Sequence, residues 1–226
     1  MSCGESRSCL IGVVKLRRTG VTISDMSRTE TSSKTRGPII VSRHGRPALD
    51  RNVGPKLSWQ EYRDWWGQYE TGSLAEDQAP PEKLTSEVKD VDLVMSSGRQ
   101  RAIETATWAT DGRTPEPHPI FNEAPLPPPR FKTRKYLPKT WNVLSRAYWL
   151  CGHTINDEGV HEARARAKDA AKVLHDAADG KSVYLAAHGW FNRMLRGPLR
   201  RLGWVCVYDG GDKYWSYRVY EYRGKR

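Results

Sequence analysis

The chain has 226 residues, of which 38% are hydrophobic and 10% aromatic, and its formal net charge is +11. This length is enough for one α/β domain with its own core and a small insertion. No apolar run approaches the ~20 residues that a membrane-spanning helix needs. The basic excess favours anionic partners, among them phosphorylated molecules, nucleic acid and acidic membrane surfaces, without choosing one of them.

The cysteines are few and far apart, and none of them forms a Cys-x-x-Cys pair: Cys3, Cys9, Cys151 and Cys206. This spacing favours neither a disulfide framework nor a zinc site. Reduced thiols are typical of the cytoplasm, and we therefore expect a cytoplasmic protein.

Residues 1–37 form a basic leader that is rich in Ser and Thr. Its apolar cluster, Leu10–Val14, is too short for a secretory signal. The composition fits an organellar transit peptide, a disordered tail or a start codon placed too far upstream. We favour the disordered leader and expect one folded domain over residues 38–226.

The first predicted strand is the apolar run Pro38–Val41, which leads into Arg43, His44 and Gly45. Side chains at the end of such a strand emerge where open α/β sheets place their ligands. Histidine can serve as base, nucleophile or metal ligand, and arginine has a planar, permanently charged guanidinium group that is suited to binding phosphate. Glycine allows the backbone to approach a bound group closely. By itself this motif is more often a polar strand end than a catalytic site.

Trp59–Tyr69 carries aromatic residues at helical spacing, with Ser58 as the predicted N-cap and Glu61 as its capping-box partner. Such an aromatic stripe is usually part of a core, and here it can also cover a pocket. The following segment, Glu76–Lys83, contains two adjacent prolines and is interpreted as a linker.

The second predicted strand, Val91–Ser96, is followed by a small-residue turn and by a helix that runs to about Thr110. The basic residues Arg99 and Arg101 lie at the start of this helix. A strand, a short turn and a basic helix start direct backbone N–H groups and positive charge toward an anion.

Pro117–Phe121 is predicted as a third short strand, and Asn122 and Glu123 follow it. Beyond it, three prolines and the basic run Arg130–Lys139 indicate an irregular segment. We interpret the basic run as a solvated face and not as a substrate clamp. Two helices are predicted next, at Trp141–Leu150 and Glu158–Ala178.

Another predicted strand, Ser182–Ala187, runs directly into His188 and a glycine, and the helix Trp190–Arg201 follows. Val205–Tyr208 and Trp215–Tyr222 flank a turn-rich segment, which indicates a closing hairpin or a pair of edge strands.

Strands that alternate with helices predict an α/β fold whose mostly parallel sheet is covered on both faces. Arg43, His44, Arg101 and His188 all follow predicted strands, and the carboxyl ends of parallel strands share one edge. Two histidines and two arginines at one edge fit a doubly charged tetrahedral anion, and phosphate is the obvious one. One histidine can attack phosphorus while the other groups hold the charge that builds on the oxygens. The structural alternative is that both histidines are hydrogen-bonded caps of a helix or a strand.

The sequence resembles the histidine phosphatase superfamily, which has the phosphoglycerate mutase-like fold. The resemblance covers roughly residues 38–202 and rests on four segments in the same order: Arg43-His44-Gly45, Ser96-Ser97-x-x-x-Arg101-Ala102-x-Glu104-Thr105-Ala106, Asn122-Glu123 and Ala187-His188-Gly189. It implies a three-layer α/β/α domain with a mostly parallel central sheet and a small aromatic-rich cap.

The resemblance also implies a role for each site residue. His44 would be the nucleophile that becomes a phosphohistidine, Arg43 and Arg101 would bind the phosphoryl oxygens, and His188 would stabilise the transition state beside them. Glu123 would be the general acid for the leaving alcohol and then the base for water, although a Glu before Ala-Pro can also be a turn residue. The scheme uses no metal and no organic cofactor.

The departures from the family pattern concern the edge of the pocket. Gly98-Arg99 replaces the usual Pro-Leu, and a proline-rich stretch follows Glu123 where glycolytic mutases carry glycine. These differences favour a metal-independent phosphatase that hydrolyses phosphomonoesters. A mutase-type phosphotransferase and a non-catalytic phosphate-recognising binding protein are the alternatives, and nucleic-acid binding is a weaker one because no recognition motif accompanies the charge.

The expected partner is a phosphorylated small molecule or a phosphoprotein, with no specific nucleic acid and no membrane. The segments that would set the substrate, Trp59–Pro81 and Pro125–Gly152, match nothing diagnostic, and the sequence carries no sign of oligomeric state.

Overall fold

The structure, a computed structural model, describes residues 36–154 and 158–224. The expected disordered leader therefore lies outside the described residues, apart from its last two positions. The elements in chain order are β1 (Ile39–Arg43), α1 (Trp59–Thr71), α2 (Glu82–Val88), β2 (Leu93–Ser96), α3 (Gln100–Ala109), β3 (Glu116–Pro117), a 3₁₀ helix (Pro119–Phe121), α4 (Pro138–Leu150), α5 (Val160–Ala177), β4 (Val183–Ala187), α6 (Gly189–Arg201), β5 (Trp204–Asp209) and β6 (Tyr217–Tyr222).

One six-stranded sheet, with the order β3-β2-β4-β1-β6-β5, organises the chain. The first four strands in this order pair in parallel, whereas β6 is antiparallel to both β1 and β5. The mostly parallel sheet and the closing hairpin are thus confirmed. Arg43 pairs with Ala187, and Ser96 pairs with Ala186, so the residues that follow these three strands emerge at one edge.

Apolar side chains cover both faces of the sheet, as the alternation in β1 shows. Ile39 and Val41 point into a core shared with α5 and α6, whereas Ile40 points into a second core with α2 and α3. Successive residues of a strand face opposite sides, which is why one short apolar run serves both cores. The three-layer α/β/α architecture is therefore confirmed.

Two sequence-based assignments differ from the structure. The segment predicted as a linker ends in α2, because Leu84 and Val88, four residues apart, are fully buried and tertiary packing decides the conformation. Of the predicted third strand, Pro117–Phe121, only Pro117 is in a strand, because β3 spans Glu116–Pro117. A 3₁₀ helix that starts at Pro119 replaces the rest, since proline has no N–H for a strand ladder and the His118 side chain accepts from the Ile120 N–H.

An aromatic-rich cap, formed by α1, α4 and the irregular segment between α3 and α4, lies beside the sheet edge. The Tyr62 ring stacks on Trp141 with 5.6 Å between ring centroids, and its hydroxyl donates to Asn142 Oδ1 at 2.8 Å. The Trp141 indole N–H donates to the Leu57 carbonyl at 2.8 Å. Ser58 and Glu61 form the predicted capping box at the start of α1. Stacked rings and satisfied polar tips therefore join the two cap helices.

Within the described residues, no helix is long and apolar enough to cross a lipid bilayer. Cys151 and Cys206, the cysteines that these residues include, are free thiols.

Candidate active site

The β1–β4 ladder continues one residue beyond β1 and brings two histidines together. The backbone N–H of His44 donates to the Ala187 carbonyl at 2.9 Å, so His44 lies beside the residue that follows β4. That residue is His188, and the centroids of the two imidazole rings are 5.2 Å apart. Parallel pairing thus places side chains that are distant in sequence at one point of the sheet edge.

The His44 side chain is 3% exposed, and its ring orientation is fixed by one hydrogen bond. Nδ1 lies 2.7 Å from the Gly45 carbonyl oxygen, which can only accept. Nδ1 therefore carries the proton, and Nε2 keeps a free lone pair. Burial, followed by the charges of Arg101 and Arg43, lowers the pKa of His44 well below its ordinary value of 6.5. The ring is thus neutral at neutral pH.

Gly45 allows a close approach, although to a protein side chain and not to the bound group that the sequence suggested. A Cβ atom here would lie 2.5 Å from the Trp215 ring, closer than carbon atoms can pack. The Gly45 N–H donates to Thr105 Oγ1 at 2.9 Å, and that hydroxyl donates to the Arg101 carbonyl at 2.6 Å. The turn after His44 is therefore tied to the first turns of α3.

The Arg43 guanidinium lies over an aromatic ring beside the histidines. Its guanidinium carbon is 4.3 Å from the centroid of the Tyr214 ring, and Nη1 donates to the Asp212 carbonyl at 2.5 Å. Its Nε atom is buried and has no acceptor among the described residues. Buried donors are normally hydrogen-bonded, so this N–H group lacks the partner that a buried donor normally has.

Arg101 is 1% exposed, so it is not a surface residue of α3. Nη1 donates to the carbonyls of Tyr69 and Glu70, both at 2.9 Å, and Nη2 donates to the Glu70 carboxylate at 2.7 Å. Its Nε atom also lacks an acceptor in the part of the chain that the structure describes. Arg99 pairs with the same carboxylate at 2.9 Å from a half-exposed position at the periphery.

His188 is fully buried between a hydroxyl and a guanidinium. Nε2 lies 2.7 Å from Ser97 Oγ, and Nδ1 lies 3.4 Å from Arg101 Nη2. Because a guanidinium can only donate, Nδ1 accepts and Nε2 carries the proton. Burial and the charge of Arg101 lower the pKa of His188 well below 6.5. Although His188 holds the N-cap position of α6, its side chain makes no capping bond.

Glu123 lies at the start of α6 and lines the same cleft as Arg43, His44 and Arg101. Its Oε1 accepts from the N–H groups of Phe191 at 2.9 Å and Ala124 at 3.0 Å, and Oε2 accepts from the Trp190 N–H at 3.1 Å. These donors include N–H groups of the first turn, which have no partner within the helix. Glu123 is therefore more than a turn residue, because its carboxylate is fixed at the sheet edge.

An open cleft of about 640 Å³ separates this edge from the cap. Its charged lining is strongly basic, with two carboxylates, Glu123 and Asp212, against six cations: Arg43, Arg51, Arg101, Lys139, Arg146 and Arg193. A cleft with this excess attracts anions and raises their local concentration. Within the described residues, no group of three or more His, Cys, Asp or Glu side chains could hold a metal ion.

The structure brings together all five residues singled out from the sequence: Arg43, His44, Arg101, Glu123 and His188. It also places in the site several residues that the sequence did not indicate. Ser97 belongs to the motif quoted above but was given no role, and it holds the second histidine. Tyr214 enters through the β5–β6 turn, because β6 pairs with β1. Glu70 and Arg51 come from the end of α1 and from a loop, and no pattern in the sequence marked them.

A sequence model of the histidine phosphatase superfamily (branch 1) matches residues 60–222, more than half of the chain. The match begins after the first strand, so the position of His44 relative to His188 comes from the structure. No curated protein sequence matches the chain.

Similar solved structures include Rv3214 from Mycobacterium tuberculosis, with 17% identity, 84% of this chain and 97% of that chain covered, and a TM-score of 0.51. A mutant phosphoserine phosphatase from Entamoeba histolytica in complex with phosphoserine has 15% identity, coverage of 73% and 80%, and a TM-score of 0.50. YhfR from Bacillus stearothermophilus has 20% identity, coverage of 73% and 80%, and a TM-score of 0.51. At these identities the similarity establishes the fold, and together with the family match it shows that the chain belongs to the histidine phosphatase superfamily.

Proposed function

We propose that the protein is a metal-independent phosphatase that hydrolyses phosphomonoesters through a phosphohistidine on His44. Two buried groups support this most directly: the Nε–H groups of Arg43 and Arg101, which have no acceptor among the described residues. Both arginines line the cleft that His44 also lines. A phosphoryl group would supply acceptors for these N–H groups, and it would supply negative charge to Arg43, which has no carboxylate partner among the described residues, whereas Arg101 pairs with Glu70.

In the first step, the lone pair on His44 Nε2 attacks phosphorus. The N–P bond forms as the bond between phosphorus and the alcohol oxygen breaks, and protonated Glu123 gives its proton to that oxygen. The bond from Nδ1 to the Gly45 carbonyl keeps Nε2 aimed at the cleft. Arg43 and Arg101 hold the charge that develops on the phosphoryl oxygens. His188 joins them in this role when its Nε2–H turns from Ser97 Oγ to a phosphoryl oxygen.

In the second step, water attacks phosphorus and the N–P bond breaks, so its electron pair returns to His44. The Glu123 carboxylate takes a proton from that water and is ready to act as the acid again. The products are one alcohol and one phosphate, and the residues of the site are restored. Ser97 is a positioning residue in this scheme, because its hydroxyl bonds His188 and the Arg99 N–H and no reacting atom.

The substrate class follows from the same site and from the relatives. A phosphatase whose crystal structure contains phosphoserine shares this fold, which supports a phosphorylated small molecule; a phosphoprotein is the second candidate. We also propose that residues 38–226 form one catalytic domain, that the protein acts in the cytoplasm, and that it binds no specific nucleic acid.

Turnover of an aryl phosphate in the presence of a metal chelator tests the proposal. We expect phosphate release by the wild type and a loss of about a thousandfold or more in His44→Ala, as is typical when a covalent nucleophile is removed. His161→Ala is the matched control, because His161 is exposed on α5. Full turnover by His44→Ala, or none by the wild type on any phosphomonoester, would contradict the proposal.

A further inference from the structure

A second opening, here called the α5–α6 groove, lies outside the catalytic cleft. It has a volume of about 630 Å³ and lies between α5 and α6, next to the end of α4. Met194 and Pro198 of α6 give it an apolar wall. Leu150, Trp190 and Arg193 line both the groove and the catalytic cleft, so the two openings are neighbours. No step of the proposed reaction uses the groove.

The charged lining of the α5–α6 groove is entirely basic. No Asp or Glu among the described residues lines it, whereas several basic side chains do: His161, Arg164 and Lys168 of α5, and Arg193 and Arg201 of α6. Arg193 pairs with Asp212 at 2.7 Å. For Arg164, Lys168 and Arg201, the part of the chain that the structure describes provides no carboxylate within salt-bridge distance.

These cations lie close enough together to repel one another. Arg164 and Lys168 are four residues apart on α5, where like charges destabilise a helix. Arg193 and Arg201 are eight residues apart on α6, or about 12 Å along the helix axis. Such a cluster attracts negative charge, and the apolar wall beside it can bury an apolar side chain. The groove therefore fits a ligand that is both acidic and partly apolar.

Charge disfavours the occupants that the protein itself could supply. Residues 1–37 are basic, and a second copy of the chain carries the same net charge of +11. A single-stranded nucleic acid needs aromatic rings on which its bases can stack. Trp149 is fully buried, and the guanidinium carbons of Arg146 and Arg193 already lie 4.9 Å and 5.7 Å from the centroid of the Trp190 ring. An acidic protein segment fits the groove better.

We propose that the α5–α6 groove binds an acidic segment of a partner protein. Carboxylates of this segment pair with Arg164, Lys168 and Arg201, and one of its apolar side chains packs against Met194 and Pro198. An extended chain advances about 3.3 Å per residue, so about four residues span the distance between the two α6 arginines. The proposal goes beyond the phosphatase reaction and does not depend on it, because no residue of the reacting centre takes part.

Defined peptides test the proposal by fluorescence anisotropy. The first peptide has six glutamates around a central leucine, the second has serine in place of leucine, and the third has lysines in place of the glutamates. We expect the leucine peptide to bind about fivefold or more tightly than the serine peptide, because part of the leucine is buried, and we expect no binding of the lysine peptide. Equal binding of the leucine and serine peptides would overturn the proposal. So would tighter binding of oligothymidylate of the same charge, which would identify a nucleic-acid site.

Neighbouring residues of the same type provide matched variants. Lys168→Gln and Arg201→Gln should each weaken binding of the leucine peptide about threefold, the value of one exposed ion pair. Lys172→Gln and Arg200→Gln are the controls, since both residues are exposed on the same two helices and do not line the groove. Equal effects of the groove variants and the controls would mean that the peptide responds only to net charge, which would overturn the proposal.

Inorganic phosphate separates the groove from the catalytic cleft, which is also basic. Saturating phosphate should weaken peptide binding no more than sodium chloride at the same ionic strength, and His44→Ala should leave binding unchanged. Specific displacement of the peptide by phosphate would place it in the catalytic cleft and overturn the proposal. Peptide binding by a wild type that turns over no phosphomonoester would reject the phosphatase and retain the groove.

Discussion

At the scale of single residues, the two central histidines are neutral because the protein buries them beside arginines. Neither is paired with a carboxylate: His44 binds a backbone carbonyl, and His188 binds a hydroxyl. Burial and the neighbouring guanidinium groups both disfavour the protonated ring, so the pKa of each is lowered. A neutral imidazole keeps its lone pair, which is what a nucleophile requires at neutral pH.

The same burial predicts how stability depends on pH. The unfolded chain takes up protons on these histidines near pH 6.5, their ordinary pKa, whereas the folded protein takes them up only at lower pH. Stability is therefore complete above about pH 6.5 and falls as the pH falls toward the folded-state pKa. Between about pH 7.5 and about pH 5.5, each histidine should therefore lower the free energy of unfolding, by at most about 1.4 kcal/mol, the limit set by protonation of the unfolded chain.

Denaturant unfolding at the two pH values measures this loss. His44→Gln and His188→Gln should each remove about half of the loss of unfolding free energy that the two histidines cause together. His161→Gln, an exposed control, should leave this loss unchanged. If all three variants showed the wild-type dependence, the histidines would be protonated in the folded protein as readily as in the unfolded chain.

At the scale of elements, helix ends hold the charged groups of the site. The carbonyls of Tyr69 and Glu70 lie in the last turn of α1, where they have no partner within the helix, and Arg101 donates to both. At the start of α6, the first backbone N–H groups of the helix bind the Glu123 carboxylate. The ends of α1 and α6 therefore orient an arginine and a carboxylate in the same cleft.

Glu70→Gln tests the link between the cap helix and α3. The substitution keeps the shape of the side chain but removes the charge that compensates buried Arg101, so the unfolding free energy should fall by about 1 to 3 kcal/mol. Inorganic phosphate should recover part of this loss, because it supplies negative charge to the same arginine.

Glu61→Gln is the matched control in the same helix. Glu61 is half exposed, and Gln can replace it in the capping box, so the expected change is within about 0.5 kcal/mol. Chemical denaturation of the three proteins compares them directly. Equal stability of Glu70→Gln and Glu61→Gln would mean that the Glu70–Arg101 pair contributes no net stability.

At the scale of the whole molecule, the sequence predicted the centre of the site better than its surroundings. Arg43, His44, Arg101 and His188 could be placed together because each follows a strand, and parallel pairing brings strand ends to one edge. Arg51, Glu70 and Tyr214 could not, since loop paths and helix packing decide where they lie. The helix α2 was missed for the same reason, because its burial depends on residues far away in the sequence.

Trapping the covalent intermediate tests the central role of His44 most directly. Enzyme mixed with a labelled aryl phosphate and quenched within milliseconds should carry an acid-labile, alkali-stable phosphoryl group, mapped to the peptide that contains His44. The label should be absent from His44→Ala and present on the exposed-site control His161→Ala. A label on any other residue, or turnover by the wild type with no labelled protein under conditions that trap phosphohistidine, would contradict the account.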